Sequence, residues 1–227
     1  MIPQAWKLTK ICLLCELRHH GTHAICTDCL SALPSIACAC DYCGIPISEG
    51  DCKLCGACMQ DPNLSTKIIA PYPYIEPLRS FIHQYKYVGG LYLSSALSHL
   101  IKQFIQGREL PEVLIPMPMH YKRMQERGFN HTILLAQHLS RWLKIPYDIT
   151  ACKKIKNTVS QASLKAKERK VNLADTFTTT KNNYKYVAII DDVYTTGSTI
   201  QALTHSLKKS GVARVEAWCI ARTCPNL

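Results

Sequence analysis

Two adjacent carboxylates, Asp191 and Asp192, are followed closely by Thr195, Thr196, Gly197, Ser198 and Thr199. Paired acids suit the hydroxyls of a sugar or a divalent cation, and they repel phosphate. The run behind them has the opposite character. It offers hydroxyl donors and a glycine that lets backbone N–H groups close on an anion. A second stretch is basic: Arg123 and Arg127 carry guanidinium forks that match phosphate oxygens, and Gly128 beside them permits a tight turn. A third runs from Lys153 to Lys170 with seven basic residues against one acid, Glu168; Lys165, Lys167 and Arg169 lie within it. Its low hydrophobicity reads as a loop leading into a helix. Such a loop can close over a bound anion or follow a nucleic-acid backbone.

Thiols supply the other chemistry. Of 13 cysteines, eight form C-x-x-C pairs: Cys12/Cys15, Cys26/Cys29, Cys40/Cys43 and Cys55/Cys58. Two thiolates in one tight turn reach a single Zn2+, and the first two pairs repeat in the last two at shifts of 28 and 29 residues. The repeat predicts two tetrahedral four-cysteine sites in tandem, a double zinc ribbon. A cross-braced pairing, in which the first and third pairs share a metal, fits the same spacing. So does a site that enlists His19, His20 or His23. Four thiolates leave no open coordination position, so the zinc is expected to be structural, supplying roughly 10 kcal/mol per site to a segment poor in large apolar groups. Cys38 and Cys52 fall outside the pairs, and Cys152, Cys219 and Cys224 lack metal-ligand spacing.

Apolar periodicity indicates what must position these groups. Val187 to Ile190 reads as a buried strand; Ile200, Leu203 and Leu207 recur at helical spacing up to Gly211. Strand, small-residue loop and helix in series put the Asp pair at a strand's carboxyl end and the hydroxyls at a helix N-terminus. Val113 to Ile115 is a second strand, which runs into the basic loop Pro116 to Asn130. Asn130 is placed to cap a helix carrying Ile133, Leu134, Ala136, Leu139 and Leu143. Upstream, Lys67 to Tyr74 reads as a strand demoted by Pro71 and Pro73, followed by helices over Leu78 to Tyr85 and Leu93 to Ile105. Val212 to Ile220 forms a terminal strand. Asp61-Pro62-Asn63 breaks regular structure, which divides the chain into residues 1–62 and 63–227. The expected class is α/β, with a mostly parallel sheet flanked by helices behind a small cysteine module.

Charge follows this division. Residues 1–60 carry 4 Lys+Arg and 5 Asp+Glu, a net −1, and residues 61–227 carry 23 and 11, a net +12, so the positive charge of the chain (+11 overall) sits on the larger part. A basic domain suits a polyanion, either nucleic acid or a polyphosphate. No apolar run approaches the roughly 18 residues of a membrane span, and Met1 to Lys10 has no signal-peptide core. A cytoplasmic protein without disulfides is expected.

Ile190-Asp191-Asp192-Val193-Tyr194-Thr195-Thr196-Gly197-Ser198-Thr199 resembles the ribose-phosphate loop of type I phosphoribosyltransferases. The resemblance implies that Asp191 and Asp192 hold the ribose hydroxyls of phosphoribosyl pyrophosphate (PRPP) and that Thr195 to Thr199 cradle its 5′-phosphate. Arg123, Arg127 and Gly128 would then meet the pyrophosphate, with Mg2+ accompanying the ligand. Together with the four C-x-x-C knuckles, Ile115-Pro116-Met117-Pro118, Arg127-Gly128-Phe129-Asn130, Gln161 to Asn172 and the terminal strand, the chain resembles the ComF family of competence and DNA-utilisation proteins. That resemblance implies a phosphoribosyltransferase-like domain behind a double zinc ribbon. It also implies a cytoplasmic role in handling incoming single-stranded DNA during natural transformation or DNA use, beside other competence or DNA-processing proteins. His131 departs from the Gln that family members often carry there.

Two classes of function follow. An enzyme of nucleotide or base metabolism would transfer the phosphoribosyl group, yet no general base or acceptor site is legible. A binding protein would keep the PRPP site and use its basic surface for DNA, with Tyr121, Phe129 and Tyr194 as stacking platforms.

Overall fold

The structure is a computed structural model and describes residues 9–48, 53–61, 65–156 and 176–224. The cysteine module is built from short pieces. β1 (Lys10–Ile11) and β2 (Arg18–His19) pair antiparallel around the first knuckle. Helix α1 (Thr27–Ala32) starts on Cys26, whose Sγ accepts the Cys29 N–H, and α2 (Gly56–Met59) follows Cys55. Elements this short bury little of their own. The module instead lends Cys12, Ile25 and Leu33 to the core of the larger domain, where they join Leu78, Leu97 and Trp218. His23 stacks on His99 with ring centroids 3.5 Å apart. The division at residue 62 is thus crossed by packing, and Pro62 and Asn63 lie outside the described residues.

The larger part contains β3 (Thr66–Ile69), β4 (Tyr72–Pro73), α3 (Leu78–Tyr87), α4 (Leu93–Ile105), β5 (Val113–Pro116), α5 (Tyr121–Arg127), α6 (His131–Leu143), β6 (Cys152–Lys154) and β7 (Phe177–Thr179). These are followed by β8 (Tyr186–Ile190), β9 (Val193–Tyr194), α7 (Ser198–Lys209), β10 (Arg214–Trp218) and β11 (Ala221–Arg222). The central sheet has the order β3-β10-β8-β5, with every pair parallel. Its two strands β5 and β8 are continuous apolar runs, as expected where both faces are covered, while β3 and β10 carry polar residues as well. Side chains alternate along them. Ala188 and Ile190 pack with α3, α4 and α6; Val187 and Ile189 pack with α7 and Phe177.

Three neighbouring strands share one interruption. β3, β8 and β10 each stop, skip two residues and resume as β4, β9 and β11 in a second parallel sheet of order β4-β11-β9. Register is kept across the gap: Ile190 pairs with Trp218 and Val193 with Ala221. The skipped pairs are Ala70-Pro71, Asp191-Asp192 and Cys219-Ile220. Pro71 has no N–H for a ladder, so the break has a local cause in one strand. Lys67 to Tyr74 is therefore two strands rather than one. Backbone bonds still cross the gap: Asp191 N–H donates to the Trp218 carbonyl at 3.1 Å, and Ile220 and Ala221 both donate to the Asp192 carbonyl at 2.9 and 3.2 Å.

Chain order fixes where a ligand can sit. From β5 the chain passes through α6 to Tyr147, which bridges the side of β5 away from β8 (Leu114 N–H to the Pro146 carbonyl, 2.9 Å). It then returns to β8 and moves outward in the other direction to β10. The order reverses between β5 and β8, and crevices at such reversals, outside the carboxyl ends of the strands, are where open α/β sheets bind ligands. The acidic and the basic stretches both leave the sheet there. Among the described residues no helix is long and apolar enough to cross a membrane.

Candidate functional site

The acidic stretch occupies the shared break. Asp192 is 3 % exposed. Its Oδ1 accepts the Val193 N–H at 2.6 Å. Its Oδ2 lies 2.8 Å from Lys86 Nζ, at the end of α3, and 2.6 Å from His131 Nε2, at the start of α6. Burial would raise the Asp192 carboxyl, but Lys86 and then His131 outweigh it and hold Asp192 well below the usual carboxylate range. Asp191 is more open, and its Oδ1 accepts the Asp192 N–H at 2.9 Å. Burial and then the Asp192 charge push Asp191 up, against the pull of Lys86 and His131. The two acids are thus electrostatically unlike: one is a fixed anion clamped between two helices, the other a half-buried carboxyl facing the crevice end of the sheet.

Gly197 adopts φ 74° and caps α7. A Cβ there would lie 2.6 Å from Cζ of Tyr194, so glycine is required both by the left-handed backbone and by the tyrosine ring folded over it. Thr195 and Thr196 are exposed, and Ser198 and Thr199 half-buried. Thr196 Oγ1 and Ser198 Oγ lie 2.9 Å apart. The Thr196 and Ser198 hydroxyls thus lie together at the N-terminus of a 12-residue helix, a place suited to an anion.

The basic stretch is not wholly loop. After β5, His120 Nδ1 accepts the Lys122 N–H at 3.3 Å and starts α5, and Gly128 at φ 76° ends it, with its N–H on the Met124 carbonyl. Asn130 then caps α6 through the Thr132 N–H, and its amide nitrogen donates to the Met117 carbonyl. Arg123 and Arg127 are half-buried on α5. The Arg127 guanidinium lies 4.6 Å from the centroid of Tyr87, the residue after Lys86, so the basic helix leans on the helix that anchors Asp192. Lys154 on β6 is lowered by burial and next by Arg123, while Asp191 acts in the opposite sense, which places these three charges in one neighbourhood. Lys165, Lys167 and Arg169 lie outside the described residues. Lys86 is the site residue that the sequence reading did not single out, and Lys154, from the basic stretch read as a loop, lies on strand β6.

The thiols group as Cys12, Cys15, Cys26 and Cys29, and as Cys40, Cys43, Cys55 and Cys58, each set with its sulfurs within 4.8 Å of one another. The pairing is tandem, and the three histidines stay outside it: His23 stacks on His99, and His19 Nδ1 accepts the Gly21 N–H. Burial raises the Cys12 thiol, but N–H donors led by that of Cys26 outweigh it and bring it to about 6; Cys40 is brought to about 7 in the same way, with Cys43 as the leading donor. Each set therefore contains one thiol poised as thiolate, and both could hold Zn2+. A third cluster, His131, Asp191 and Asp192, has ligand spacing as well. Lys86 already stands 2.8 Å from its Asp192 oxygen, which opposes a resident cation there.

The topology and the paired four-cysteine sets define a parallel α/β protein with an attached thiol-rich module. No family model matches the chain. It is 34% identical to competence protein F of Haemophilus influenzae, over 93% of this chain and 96% of that one, and 34% identical to DNA utilization protein YhgH of Escherichia coli, over 94% and 97%. Competence protein ComFC of Bacillus subtilis is 27% identical over 94% and 95%. The chain belongs to this ComF family. Among solved structures, a glutamine PRPP amidotransferase from Bacillus subtilis aligns with TM-score 0.42 and 14% identity, over 61% of this chain and 30% of that one. A purine phosphoribosyltransferase from Pyrococcus horikoshii aligns with TM-score 0.30 and 21% identity, over 59% and 73%. At these scores the likeness carries no argument about ligand or activity.

Proposed function

We propose that this ComF-family chain binds PRPP together with Mg2+ at the reversal between β5 and β8, and that it serves the cytoplasmic handling of incoming single-stranded DNA in transformation or DNA utilisation. One observation supports the reading above the others. A carboxylate strand end, followed by a hydroxyl-rich turn at a helix N-terminus, lies at the reversal of strand order beside the strand that leads into the helix bearing Arg123 and Arg127. PRPP has a matching layout: neutral sugar hydroxyls between a monophosphate and a pyrophosphate. In this reading Asp191 takes the ribose hydroxyls, and Asp192 keeps Lys86 and His131 in place behind it. Thr195, Thr196, Gly197, Ser198 and Thr199 take the 5′-phosphate; Arg123, Arg127 and the turn at Gly128 take the pyrophosphate. Mg2+ arrives on the pyrophosphate, keeping several waters, because Lys86 excludes a resident ion from Asp192. Zn2+ at the two thiol sets is structural.

Calorimetric titration with PRPP, with and without Mg2+, tests the ligand. Saturable binding that Asp191→Asn removes is expected, and absence of binding in the wild type overturns it. DNA handling is tested by the salt dependence of binding to an oligothymidylate: the affinity should fall steeply with ionic strength if several Lys and Arg meet phosphates.

A further inference from the structure

The second four-cysteine knuckle touches β3 and β11, and β11 pairs with β9, the strand that leads into the phosphate loop. Tyr42, inside the knuckle, accepts the Ile68 N–H of β3 at 2.6 Å through its carbonyl. Gly44, at φ 70°, closes the knuckle with its N–H on the Cys40 carbonyl, and a Cβ there would stand 3.5 Å from the Ile68 carbonyl. The remaining contact is made by Arg222, the last residue of β11. Its Nη1 donates to the Cys43 carbonyl and its Nε to the Thr223 carbonyl. Its guanidinium lies 5.3 Å from the centroid of the Tyr194 ring. Arg222 and Tyr194 are direct partners in the β11–β9 ladder, and the Thr223 N–H donates to the Tyr194 carbonyl at 2.9 Å. Tyr194 in turn lies over Gly197.

Arg222 is unusual in its surroundings. It is 5 % exposed, and among the described residues no carboxylate pairs with it. A buried guanidinium is costly unless its charge and its donors are met. Here the Cys43 and Thr223 carbonyls and an aromatic face meet the donors, and Zn2+ bound by the four thiolates would place a net negative charge beside it. Among the described residues the first thiol set has no such link. It packs against the helical layer through Cys12, Ile25 and Leu33.

We propose that Arg222 is a positioning residue that ties the second knuckle to the phosphate loop, so that metal at Cys40, Cys43, Cys55 and Cys58 sets the shape of residues 194–197 and with it the affinity for the ligand's phosphate. The part of this that concerns affinity rests on the PRPP reading; the mechanical part does not. Loss of the metal releases the Cys43 carbonyl, Arg222 loses its seat, the Tyr194 ring is freed from above Gly197, and the turn opens.

The test compares full-length wild type, Arg222→Ala, Cys55→Ser, Cys15→Ser and the Arg222→Ala/Cys55→Ser double variant. Amide hydrogen exchange over residues 193–199 is read without ligand, beside zinc content and PRPP titration. Arg222→Ala should keep two zinc ions per chain, raise exchange across the loop and weaken PRPP about tenfold, the scale of a lost charge-assisted hydrogen bond. Cys55→Ser should do the same to the loop, and the double variant should be no worse than either single one, because both act through one contact. Cys15→Ser should leave the loop unchanged. Unchanged loop exchange in Arg222→Ala, multiplying effects in the double variant, or equal effects of Cys15→Ser and Cys55→Ser would each overturn the proposal. If Cys55→Ser does not fold, Arg222→Lys decides. It keeps the charge but offers no flat face to Tyr194, so wild-type loop exchange in that variant would overturn the proposal and raised exchange would support it. Wild type that fails to bind PRPP sinks the ligand reading and leaves the exchange comparison intact.

Discussion

The two strand ends that meet at the sheet's reversal are built in opposite ways. The end of β8 is determined from several directions: backbone bonds tie Asp191 and Asp192 to the β10–β11 segment across the break, and two helices clamp the Asp192 carboxylate. The end of β5 carries a seven-residue helix held by a histidine cap, a glycine stop and one stacking contact, with Tyr121 and Lys122 exposed. The acidic half of the crevice is therefore part of the core and preformed before any ligand arrives. The basic half is a surface feature whose side chains settle around the ligand. Geometry-critical recognition of a sugar belongs on the first, and screening of a mobile polyanionic tail belongs on the second.

Substitutions can break this contrast. Asp192→Asn should have the largest effect, a loss of about 3 kcal/mol in urea unfolding, because it leaves Lys86 buried with its partner neutralised. A loss comparable to that of an exposed carboxylate would mean the clamp is not structural. Gly197→Ala comes next, at about 2 kcal/mol, from the left-handed backbone and the Tyr194 ring together. Arg127→Ala should cost less than about 1 kcal/mol of stability, the scale of an exposed cation–aromatic contact, while weakening PRPP about tenfold. A larger stability loss would place the basic helix in the framework after all.

The pH dependence should carry the same contrast, with the two acids giving it opposite signs. Asp191 is raised in the folded protein by burial and by Asp192, so the folded state holds its proton more tightly than the unfolded state does. Its contribution is fully present below the ordinary carboxylate value of about 4 and is lost as pH rises through the raised one. Asp192 is depressed, so its contribution is present above the ordinary value and is lost only in strong acid. Asp191→Asn should therefore flatten a decline in the urea midpoint above about pH 4. A decline that persists unchanged in the variant would remove Asp191 as its source.

Much of this was legible in residue order. Leu93, Leu97, Leu100, Ile101 and Ile105 mark α4 from end to end. The cysteine repeat points to the tandem pairing, and the Asp pair with its hydroxyl turn falls between a strand and a helix as its composition requires. Three features were not legible, for physical reasons. Lys86 looks like an ordinary basic residue closing a helix against its dipole, because the partner that buries it lies far along the chain. The shared break depends on inter-strand register, and only Pro71 marks it locally. Helix α5 inside the basic loop is started by a histidine Nδ1, a cap that residue preferences rank low. His131, given no role in the sequence reading, forms half of the Asp192 clamp.

The central claim concerns Asp191 and the ligand it faces. Titration calorimetry of the wild type and Asp191→Asn with PRPP and Mg2+, each paired with its urea midpoint, tests it most directly. Saturable binding in the wild type, lost in the variant with no loss of stability at neutral pH, is expected. Equal binding by both proteins, or none by the wild type, would contradict it.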